Sequence, residues 1–397
     1  MGGFSCLSRI CGSSCPRGEG VDVQELVARF LEERARELVS GVRGSFMEPR
    51  LYRELYEDSI RRFSSLHESF SKKFGELRAH ARGSLDIRPI DLSGYSPSFS
   101  SVVSSDASSY PFPIAATHLA LIGGVAVNVP RISKVSLNGK VLDAGPEISE
   151  TEFRFLYSAI REAMIPKCVI HQLENFDKPD LVLIDGPFSL SQWWREAWSQ
   201  EIRSRVQELI DAKNILLHRC RELGVIPIAV VKRTRARYLH HAFGLEEESN
   251  YSDQFLLNNL MKYGEMTQPF SVTEAIRKWR SKEGGGRRGL LIDKLHYEIM
   301  GFYIKTSRNP LTPPIRVEYP KFVENHADEI AKFVLSTSVQ SYDKDYDGLP
   351  ATQCIAHKLT KISKEIMLSI LESGMSKVME DGGDPRLFTL FGRISLH

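Results

Sequence analysis

The hydrophobic positions along the chain follow two different patterns. Up to about residue 95, apolar residues recur at helical spacing between charged residues, first over residues 21–41 and again in "YRELYEDSIRRFSSLHESFSKKFGELRAHA". From Ser98 onward, short runs rich in Val, Ile and Leu are typical of strands. The pattern therefore predicts amphipathic N-terminal helices followed by a domain built on a β-sheet.

Three strands and a helix open the sheet domain. The runs "FSSVVSSDA", "THLALIGGVAVNV" and "VSLNGKVLDAG" follow one another, and the last carries a hairpin signal at Asn138-Gly139, so an antiparallel meander is predicted. A helix begins in "SETEFRFLYSAIREAM", where Ser149 and Glu152 stand in the relation of a capping box. Pro166 should end or kink this helix, because proline has no amide hydrogen to continue it.

Two apolar runs further along predict buried strands. "DLVLIDG" is a continuous apolar run, and a long helix from about Gln192 to Leu223 leads from it into "VIPIAVVKRT", which ends on Lys232. Such a helical crossover predicts parallel strands. "MGFYIKTS" and "PIRVEYP" predict one more strand pair, followed by helices. The expected fold is α/β: a mixed central sheet flanked by helices, with a helical N-terminal arm and C-terminal helices.

Composition allows a large core. The chain has 397 residues, of which 42% are hydrophobic and 26% charged, enough for one large domain with appendages or for two domains. We divide it into a disordered tail over residues 1–20, a helical arm over residues 21–95 and a sheet domain over residues 96–397. The formal net charge is +2, so overall charge does not indicate a nucleic-acid partner.

Cysteine usage and the apolar runs indicate the cellular compartment in which the protein is expected. Six cysteines do not make a disulfide framework in a chain of this size, and no secretory signal opens the sequence, which favours a reducing, cytoplasmic environment. The spacing of Cys6, Cys11 and Cys15 fits no common zinc motif. The longest apolar run, residues 114–129, is interrupted by polar residues and glycines, so no membrane span is expected.

Three acidic residues are candidates for a metal site. Asp106 ends the first predicted strand, Asp185 ends the "LVLID" strand, and Glu162 lies on the helix between them. Carboxylates that converge at one edge of a sheet bind Mg²⁺ or Mn²⁺, and such ions support phosphodiester hydrolysis. Each residue also has an ordinary interpretation, since Asp-Gly is a common turn. Glu152 and Glu174 are alternatives to Glu162.

Basic residues follow the second buried strand. Lys232 lies where a strand end is expected near the acidic residues, and "KRTRARYLHH" continues with residues that suit phosphate binding and base stacking, namely Arg233, Arg235, Arg237 and Tyr238. Mobile solvated charge is the competing interpretation. The loop "GGGRRG" is ambiguous in the same way. For Trp193, Trp194 and Trp198, packing in the core or at a dimer contact is favoured over base stacking.

Several segments, taken together and in order, resemble the NurA nuclease family. The resemblance extends from about Ser98 to Ile362, and no single segment is specific by itself. The first segment has an acidic residue at the end of a strand. The second has an Asp-Gly pair directly after an apolar strand, and the last has an Ala-His pair on a C-terminal helix. In chain order the segments are "SSDASS", "LVLIDGPFSL", "AVVKRTRAR", "PPIRVEYP" and "GLPATQCIAHKLTKI".

The resemblance carries definite implications. It implies an RNase H-like core, a homodimer, and Mn²⁺-dependent or Mg²⁺-dependent cleavage of DNA as a 5′-3′ exonuclease and single-strand endonuclease. It also implies partnership with a HerA-type hexameric ATPase translocase in DNA end resection and double-strand break repair. The implied metal ligands are Asp106, Asp185 and, by spacing, Glu162, with Glu152 as a competitor. Lys232 and His357 would assist at the phosphate.

Two departures from the family pattern leave other functions open. Ala107 stands where glycine is usual, and Leu349 stands where an aromatic residue precedes the proline. If a tyrosine hydroxyl is needed, Tyr346 or Tyr303 would have to supply it. The alternatives are therefore a catalytically degenerate relative that binds DNA or a translocase, and an RNase H-like nuclease that acts on RNA or hybrids.

Overall fold

The computed structural model describes residues 49–97, 99–114, 117–130, 135–145, 147–190, 198–232, 234–245, 251–282 and 289–384. The chain divides into two compact units, Met1–Lys73 and Phe74–His397. The predicted tail over residues 1–20 and the helix predicted over residues 21–41 lie outside the described residues. The second predicted helix of the arm is present as α1, Pro49–Ser84.

Within the described residues, the second unit is built on a ten-stranded mixed sheet. Its strands are β1 (Ile87–Pro89), β2 (Val102–Ile114), β3 (Thr117–Val129), β4 (Val135–Ala144), β5 (Leu181–Asp185), β6 (Ile226–Val231), β7 (Glu265–Thr267), β8 (Phe270–Ser271), β9 (Ile299–Ile304) and β10 (Ile315–Pro320). The order is β1-β7-β9-β10-β6-β5-β2-β3-β4, with β8 paired to β9. The central strands are buried on both faces, as their apolar runs predict.

Strand pairing confirms the predicted mixture of directions. The strands β2, β3 and β4 form an antiparallel meander, while β5 pairs in parallel with both β2 and β6. The strand β10 runs antiparallel to β6 and β9. The short strands β1, β7 and β8, which no sequence pattern indicates, extend the sheet beyond β9.

Helices cover both faces of the sheet. They are α2 (Glu150–Asn175), α3 (Gln200–Leu223), α4 (Tyr238–Phe243), α5 (Asp253–Asn258), α6 (Val272–Lys282), α7 (Ala327–Thr337), α8 (Ala351–Thr360) and α9 (Lys364–Glu380). Short 3₁₀ turns span Leu291–Lys294 and Lys321–His326. The helices α2 and α3 pack on one face, and α8 packs on β2 from the other. No helix in the described part of the chain is long and apolar enough to cross a membrane.

The helix α2 lies unusually close to the sheet at Gly124. A Cβ atom at this position of β3 would lie 2.9 Å from the Cβ of Met164 and 3.3 Å from the sulfur of Cys168, too near for any side chain. The predicted capping box is confirmed, because Ser149 and Glu152 bond reciprocally at the start of α2. Glycine therefore sets how closely the helix and the strand can approach.

Two local signals do not end the elements that contain them. Asn138-Gly139 is not the predicted turn but lies within β4, opposite Gly124 and Gly123, because pairing at ten positions of β3 outweighs the local turn preference. Pro166, expected to end or kink α2, does not end it, since α2 continues to Asn175 with its buried side packed on the sheet. Tertiary burial here outweighs the loss of one helical hydrogen bond.

The helix before β6 also begins later than predicted. Its first residue is Gln200, with Ser199 as N-cap, rather than Gln192. The side chain of Ser199 accepts a hydrogen bond from the amide of Ile202, so the cap defines the start. Residues 191–197, which include Trp193 and Trp194, lie outside the described residues. Trp198 is half-buried against Phe155 and so belongs to packing, as favoured from the sequence.

Candidate metal centre

Two parallel strands bring Asp106 and Asp185 together. Ser105 of β2 lies opposite Ile184 of β5 in the parallel register, so the next residues along both strands are the two aspartates. Asp106 does not end its strand, as the sequence suggested, since β2 continues to Ile114. It is β5 that ends there, at Asp185. The two carboxylates therefore lie side by side at the point where β5 ends and β2 continues.

The pleat of β2 decides which face carries the carboxylates. The hydroxyl of Ser105 donates to the carbonyl of Ile165 in α2, so Ser105 faces α2. Neighbouring residues on a strand point to opposite faces, and Asp106 accordingly contacts α8. The cluster thus lies between the sheet and α8, on the face opposite α2.

One face of α8 holds both aspartates. Gln353, His357 and Thr360 follow one another at spacings of four and three residues, which places them on the same side of a helix. The amide nitrogen of Gln353 donates to Oδ1 of Asp185 at 2.9 Å. Nδ1 of His357 lies 2.8 Å from Oδ2 of Asp106, and the hydroxyl of Thr360 donates to the same oxygen at 3.1 Å.

A lysine and a backbone amide complete the contacts to the carboxylates. Lys232 directly follows β6, and its Nζ lies 3.4 Å from Oδ2 of Asp185. The amide of Ala107 donates to Oδ1 of Asp106 at 2.7 Å. Because β6 is the parallel neighbour of β5, the strand end predicted near the acidic residues does reach them.

The two aspartates differ in their affinity for protons. Burial alone would raise the pKa of Asp106, but the hydrogen bond and charge of His357, the Ala107 amide and the charge of Lys232 lower it below its ordinary value. Burial and the charge of Asp106 raise the pKa of Asp185 to about 6, against the opposing charges of Lys232 and His357. Two like charges this close disfavour ionisation of both groups, and Asp106, which accepts hydrogen bonds from Ala107 and Thr360 and contacts His357, is the one that keeps its charge more readily.

The residues present fit a divalent metal ion. Asp106, Asp185 and His357 each offer a ligand atom, and these atoms lie within 4.8 Å of one another. Carboxylate oxygen is the ligand that Mg²⁺ and Mn²⁺ prefer, and Mn²⁺ also accepts imidazole nitrogen. Nearby, the carbonyl oxygen of Gln353 is buried with no hydrogen-bond partner in the described structure, as expected where a hydrated cation binds.

The predicted glutamates lie apart from this cluster. Glu152 is engaged at the start of α2, where its carboxylate accepts from the amide and hydroxyl of Ser149, so the structure does not bring it to the aspartates. Glu162 lies further along α2, with its side chain 36% exposed and Arg161 3.8 Å away. Among the described residues, neither glutamate joins the group formed by Asp106, Asp185 and His357.

The loop after Asp185 begins with a glycine turn and is held by a lysine of α3. Gly186 has φ of +92°, a conformation that other residues rarely adopt, and it turns the chain directly after the metal-site carboxylate. The buried ammonium of Lys213 on α3 donates to the carbonyl of Pro187 at 2.8 Å. Burial lowers the pKa of Lys213, while the charges of Glu162 and Glu318 oppose this shift. The charge of Glu162 thus acts on Lys213, although among the described residues Glu162 is not part of the cluster.

The basic stretch after β6 is divided between surface and interior. Arg233 lies outside the described residues, and Arg235 is exposed. Arg237 precedes α4 and is half-buried. Tyr238 is 4% exposed, beneath the guanidinium of Arg316 at 4.7 Å from its ring centre. The expected stacking of Tyr238 on a base does not fit this burial. Of the loop "GGGRRG", only Gly289 is described.

The aromatic residues proposed as a substitute for the missing motif tyrosine behave differently. Tyr303 is fully buried and donates to Asp253 at 2.7 Å, so its hydroxyl is engaged in the interior. The ring of Tyr346 meets the ring of His357 edge to face, with centres 5.7 Å apart. Leu349 is buried in the core beside these residues. Of the two tyrosines, only Tyr346 lies at the site.

Sequence reasoning missed Gln353, Thr360 and Lys213. The first two could have been found, because they share the helical face of His357 at spacings of four and three residues. Lys213 gives no such signal, since its position beneath the loop after Asp185 depends on how α3 packs against the sheet.

Comparison with known proteins shows the family of the chain. The family model of the NurA domain matches residues 112–362, more than half of the chain. The structure resembles that of the NurA nuclease from Sulfolobus solfataricus, with a TM-score of 0.58 and 18% identity, over 84% of this chain and 98% of that chain. It also resembles NurA with manganese, with a TM-score of 0.50 and 11% identity, over 81% of this chain and 98% of that one. No curated protein matches the chain.

The mixed sheet, its flanking helices and these neighbours define an α/β protein with an RNase H-like nuclease fold. The chain belongs to the NurA nuclease family. The predicted fold class and family are thus confirmed, and the prediction of a nuclease is confirmed at the level of the family. The matched residues include Glu162, Asp185, Lys232 and His357, whereas Asp106 precedes them and joins the site through strand pairing.

Proposed function

We propose that the chain is a metal-dependent DNA nuclease whose centre is formed by Asp106 and Asp185. The observation that carries the proposal is their in-register placement on β2 and β5, with His357 and Lys232 in contact with them. A structural ion pair would not need two buried carboxylates side by side, because their repulsion costs free energy. A divalent cation bound by both carboxylates would remove that repulsion.

The chain's own residues would then have separate tasks. Asp106 and Asp185 would hold Mn²⁺ or Mg²⁺. Glu162 is proposed as a further ligand from the family resemblance, and its charge acts on Lys213, which holds the loop after Asp185. The bound metal would polarise the scissile phosphate and favour ionisation of the attacking water. His357 orients Asp106 through Nδ1 and can assist at the phosphate. Lys232, at 3.4 Å from Asp185, supplies a positive charge for the phosphate.

DNA is proposed as the substrate, as single strands and duplex ends, with 5′-3′ exonuclease and single-strand endonuclease action in end resection and double-strand break repair. Family membership supports this assignment. Exposed Arg235 follows the strand that leads to Lys232, so it would bind phosphates near the site. Arg233 and Arg237 are proposed to act with it. A cytoplasmic location is proposed from the cysteine usage, which is not that of a disulfide framework.

Two protein partners are proposed as well. A second copy of the chain would pair at the β4 edge of the sheet, where Leu137 and Val141 are 74% and 58% exposed on the same side of the strand. A HerA-type hexameric translocase would bind the helical arm, proposed over residues 21–95. In support, the described part of α1 exposes Leu55, Phe63 and Leu66.

Cleavage of end-labelled single-stranded and duplex DNA with Mn²⁺, Mg²⁺ or EDTA tests the proposal. Native protein should cut only with metal, and Asp106→Ala should remove cleavage while the circular dichroism spectrum stays native. The matched control is Asp211→Ala, which removes an exposed carboxylate on α3. If native protein cuts no DNA, alone or with a translocase, the nuclease proposal fails in favour of a binding role. Cleavage of RNA or hybrids alone would contradict the proposed substrate.

A further inference from the structure

Gln353 contacts the candidate metal centre although no sequence pattern assigns it a role. It is fully buried in α8, one helical turn before His357. Its amide nitrogen donates to Oδ1 of Asp185, while Lys232 approaches Oδ2 of the same carboxylate. Each oxygen of Asp185 therefore has one partner, and the amide fixes the direction in which the carboxylate points.

The other half of this amide is unpaired. The carbonyl oxygen of Gln353 is buried and accepts no hydrogen bond from any described residue. A buried polar atom without a partner costs about 1–3 kcal/mol, so native proteins keep few of them without a reason. Thr352, the preceding residue, also carries an unpaired buried hydroxyl, but it has no contact with the carboxylates.

Charge fixes the orientation of the Gln353 amide. Turning the amide over would place its carbonyl oxygen against the carboxylate of Asp185 and leave the NH₂ group unpaired. The observed orientation avoids this repulsion. The consequence is that an acceptor, rather than a donor, is left free beside the carboxylates. A neutral amide oxygen suits a hard divalent cation and its water shell.

We propose that Gln353 is a positioning residue of the metal centre. Its nitrogen orients Asp185, and its oxygen is satisfied when a hydrated divalent cation binds. This inference rests on the proposed function, since it assumes that Asp106 and Asp185 hold the ion. It adds a residue that acts through Asp185 and through solvent, which explains why a buried polar side chain interrupts the packing of α8.

The test compares Gln353→Met with Thr352→Val. Methionine keeps the length of the side chain but has neither amide atom, and valine removes the unpaired hydroxyl of Thr352 while leaving the carboxylates untouched. Mn²⁺ affinity is measured from the electron paramagnetic resonance signal of free Mn²⁺, without DNA. Gln353→Met should bind Mn²⁺ about tenfold more weakly, as for other residues that orient metal ligands. Thr352→Val should bind as the native protein does.

Gln353→Glu separates the two atoms of the amide, because it keeps an acceptor and replaces the donor by a second acceptor. In EDTA at pH 8 its melting temperature should fall below that of native protein, since two carboxylates then face each other. Added Mn²⁺ should raise the melting temperature more than in native protein. A smaller rise than native would show that the oxygen of residue 353 does not serve the cation, and would overturn that half of the proposal.

Cleavage gives an independent readout of the same idea. Saturating Mn²⁺ should restore most of the cleavage rate of Gln353→Met, because orientation and affinity are lost rather than the ligand itself, whereas it should not restore Asp106→Ala. If native protein binds no Mn²⁺, the proposed function itself fails. If native protein binds Mn²⁺ and Gln353→Met matches it within twofold, only the role of Gln353 is refuted.

Discussion

The central sheet carries two groups of buried charges that differ in how completely they are paired. On one side, Arg316 bonds Glu318 at 2.9 Å and Tyr303, which donates to Asp253. Glu318 also accepts from the amide and hydroxyl of Ser189. We call this group, completed by His240 on Asp253, the buried network. Each carboxylate of the network has a partner among the side chains, Glu318 with Arg316 and Asp253 with Tyr303 and His240. Only Nε2 of His240 is buried without a partner among the described residues of this group.

The metal centre, a few residues away, is paired differently. Asp106 and Asp185 repel each other, the pKa of Asp185 is raised to about 6 by burial and by that repulsion, and the oxygen of Gln353 has no described partner. The comparison teaches how to separate structural charge from functional charge. In the buried network each carboxylate is paired with a donor or a cation, whereas in the metal centre two carboxylates lie against each other in a way that a cation would complete.

The two groups are connected through one short loop. Asp185 ends β5, and Ser189, four residues later, is held by Glu318 of the buried network. Between them, Lys213 fixes the carbonyl of Pro187. The buried network therefore stabilises the loop that follows Asp185 of the metal centre. We therefore expect substitutions in the buried network to lower the stability of the fold. Substitutions in the metal centre should change metal binding and cleavage.

Arg316→Met should have the largest effect on stability. It leaves Glu318 buried without its cation partner, and breaking such a pair costs about 3–5 kcal/mol of unfolding free energy. Urea unfolding in EDTA measures this loss. The control is Arg62→Met, which breaks the exposed pair with Asp58 and should cost about 0.5 kcal/mol or less. A loss below about 1 kcal/mol in Arg316→Met would show that the buried network is not needed for stability.

Asp185→Asn, in contrast, should increase the free energy of unfolding in the absence of metal. The pKa of Asp185 in the folded protein, about 6, lies above its ordinary value of 3.8, so its favourable contribution is complete below pH 3.8 and is lost as the pH rises through 6. Asparagine removes this loss. We expect the variant to be more stable than native by about 2–3 kcal/mol at pH 8 in EDTA, and equally stable near pH 3.5.

Urea unfolding at both pH values checks this prediction, and Mn²⁺ extends it. Native protein should gain stability from Mn²⁺, whereas Asp185→Asn should gain little and should not cleave DNA. Lower stability of the variant at pH 8 would mean that Asp185 is held by structural pairing, in which case it would resemble the buried network rather than a metal ligand.

The sequence predicts the parallel directions of β5 and β6 because the signals are local. Continuous apolar runs mark both strands, and the crossover helix makes them parallel. That β2 pairs with β5, which makes Asp106 and Asp185 neighbours, is known only from the structure. Helical spacing groups Gln353 with His357, but its contact with Asp185 could not be derived, since nothing local shows that α8 lies across both strand ends. The contact joins residues 168 positions apart.

Where local signals and long-range packing disagree, packing decides. Pro166 and Asn138-Gly139 are strong local signals for a break and a turn, yet both lie inside long elements. Each element is held along its length, α2 by its buried side and β4 by ten paired positions on β3. The placement of Glu162 depends on that same helix, so spacing along the sequence cannot determine its distance from the aspartates.

Lys232→Met separates phosphate binding from metal binding. Removing this charge takes away a competitor for Asp185, so Mn²⁺ affinity should not weaken, while cleavage should fall about 10–100-fold if the ammonium stabilises charge on the phosphate. Mn²⁺ titration and cleavage rates at saturating Mn²⁺ measure both. Lys178→Met, at the opposite end of β5, is the control. A loss of Mn²⁺ affinity with unchanged cleavage at saturation would assign Lys232 to holding Asp185 instead.

Ala107→Gly should have the smallest effect, and it addresses a departure from the family pattern. The amide of Ala107 bonds Asp106, and glycine keeps that amide. Since none of the described non-glycine residues has positive φ, alanine is unstrained there. Glycine should therefore leave cleavage within twofold and lower stability by about 0.5–1 kcal/mol, because it adds freedom to the unfolded chain. A tenfold gain in cleavage would instead show that the methyl group of Ala107 restricts the metal centre. The activity of the centre would then depend on packing around Asp106 as well as on the pairing of its charges.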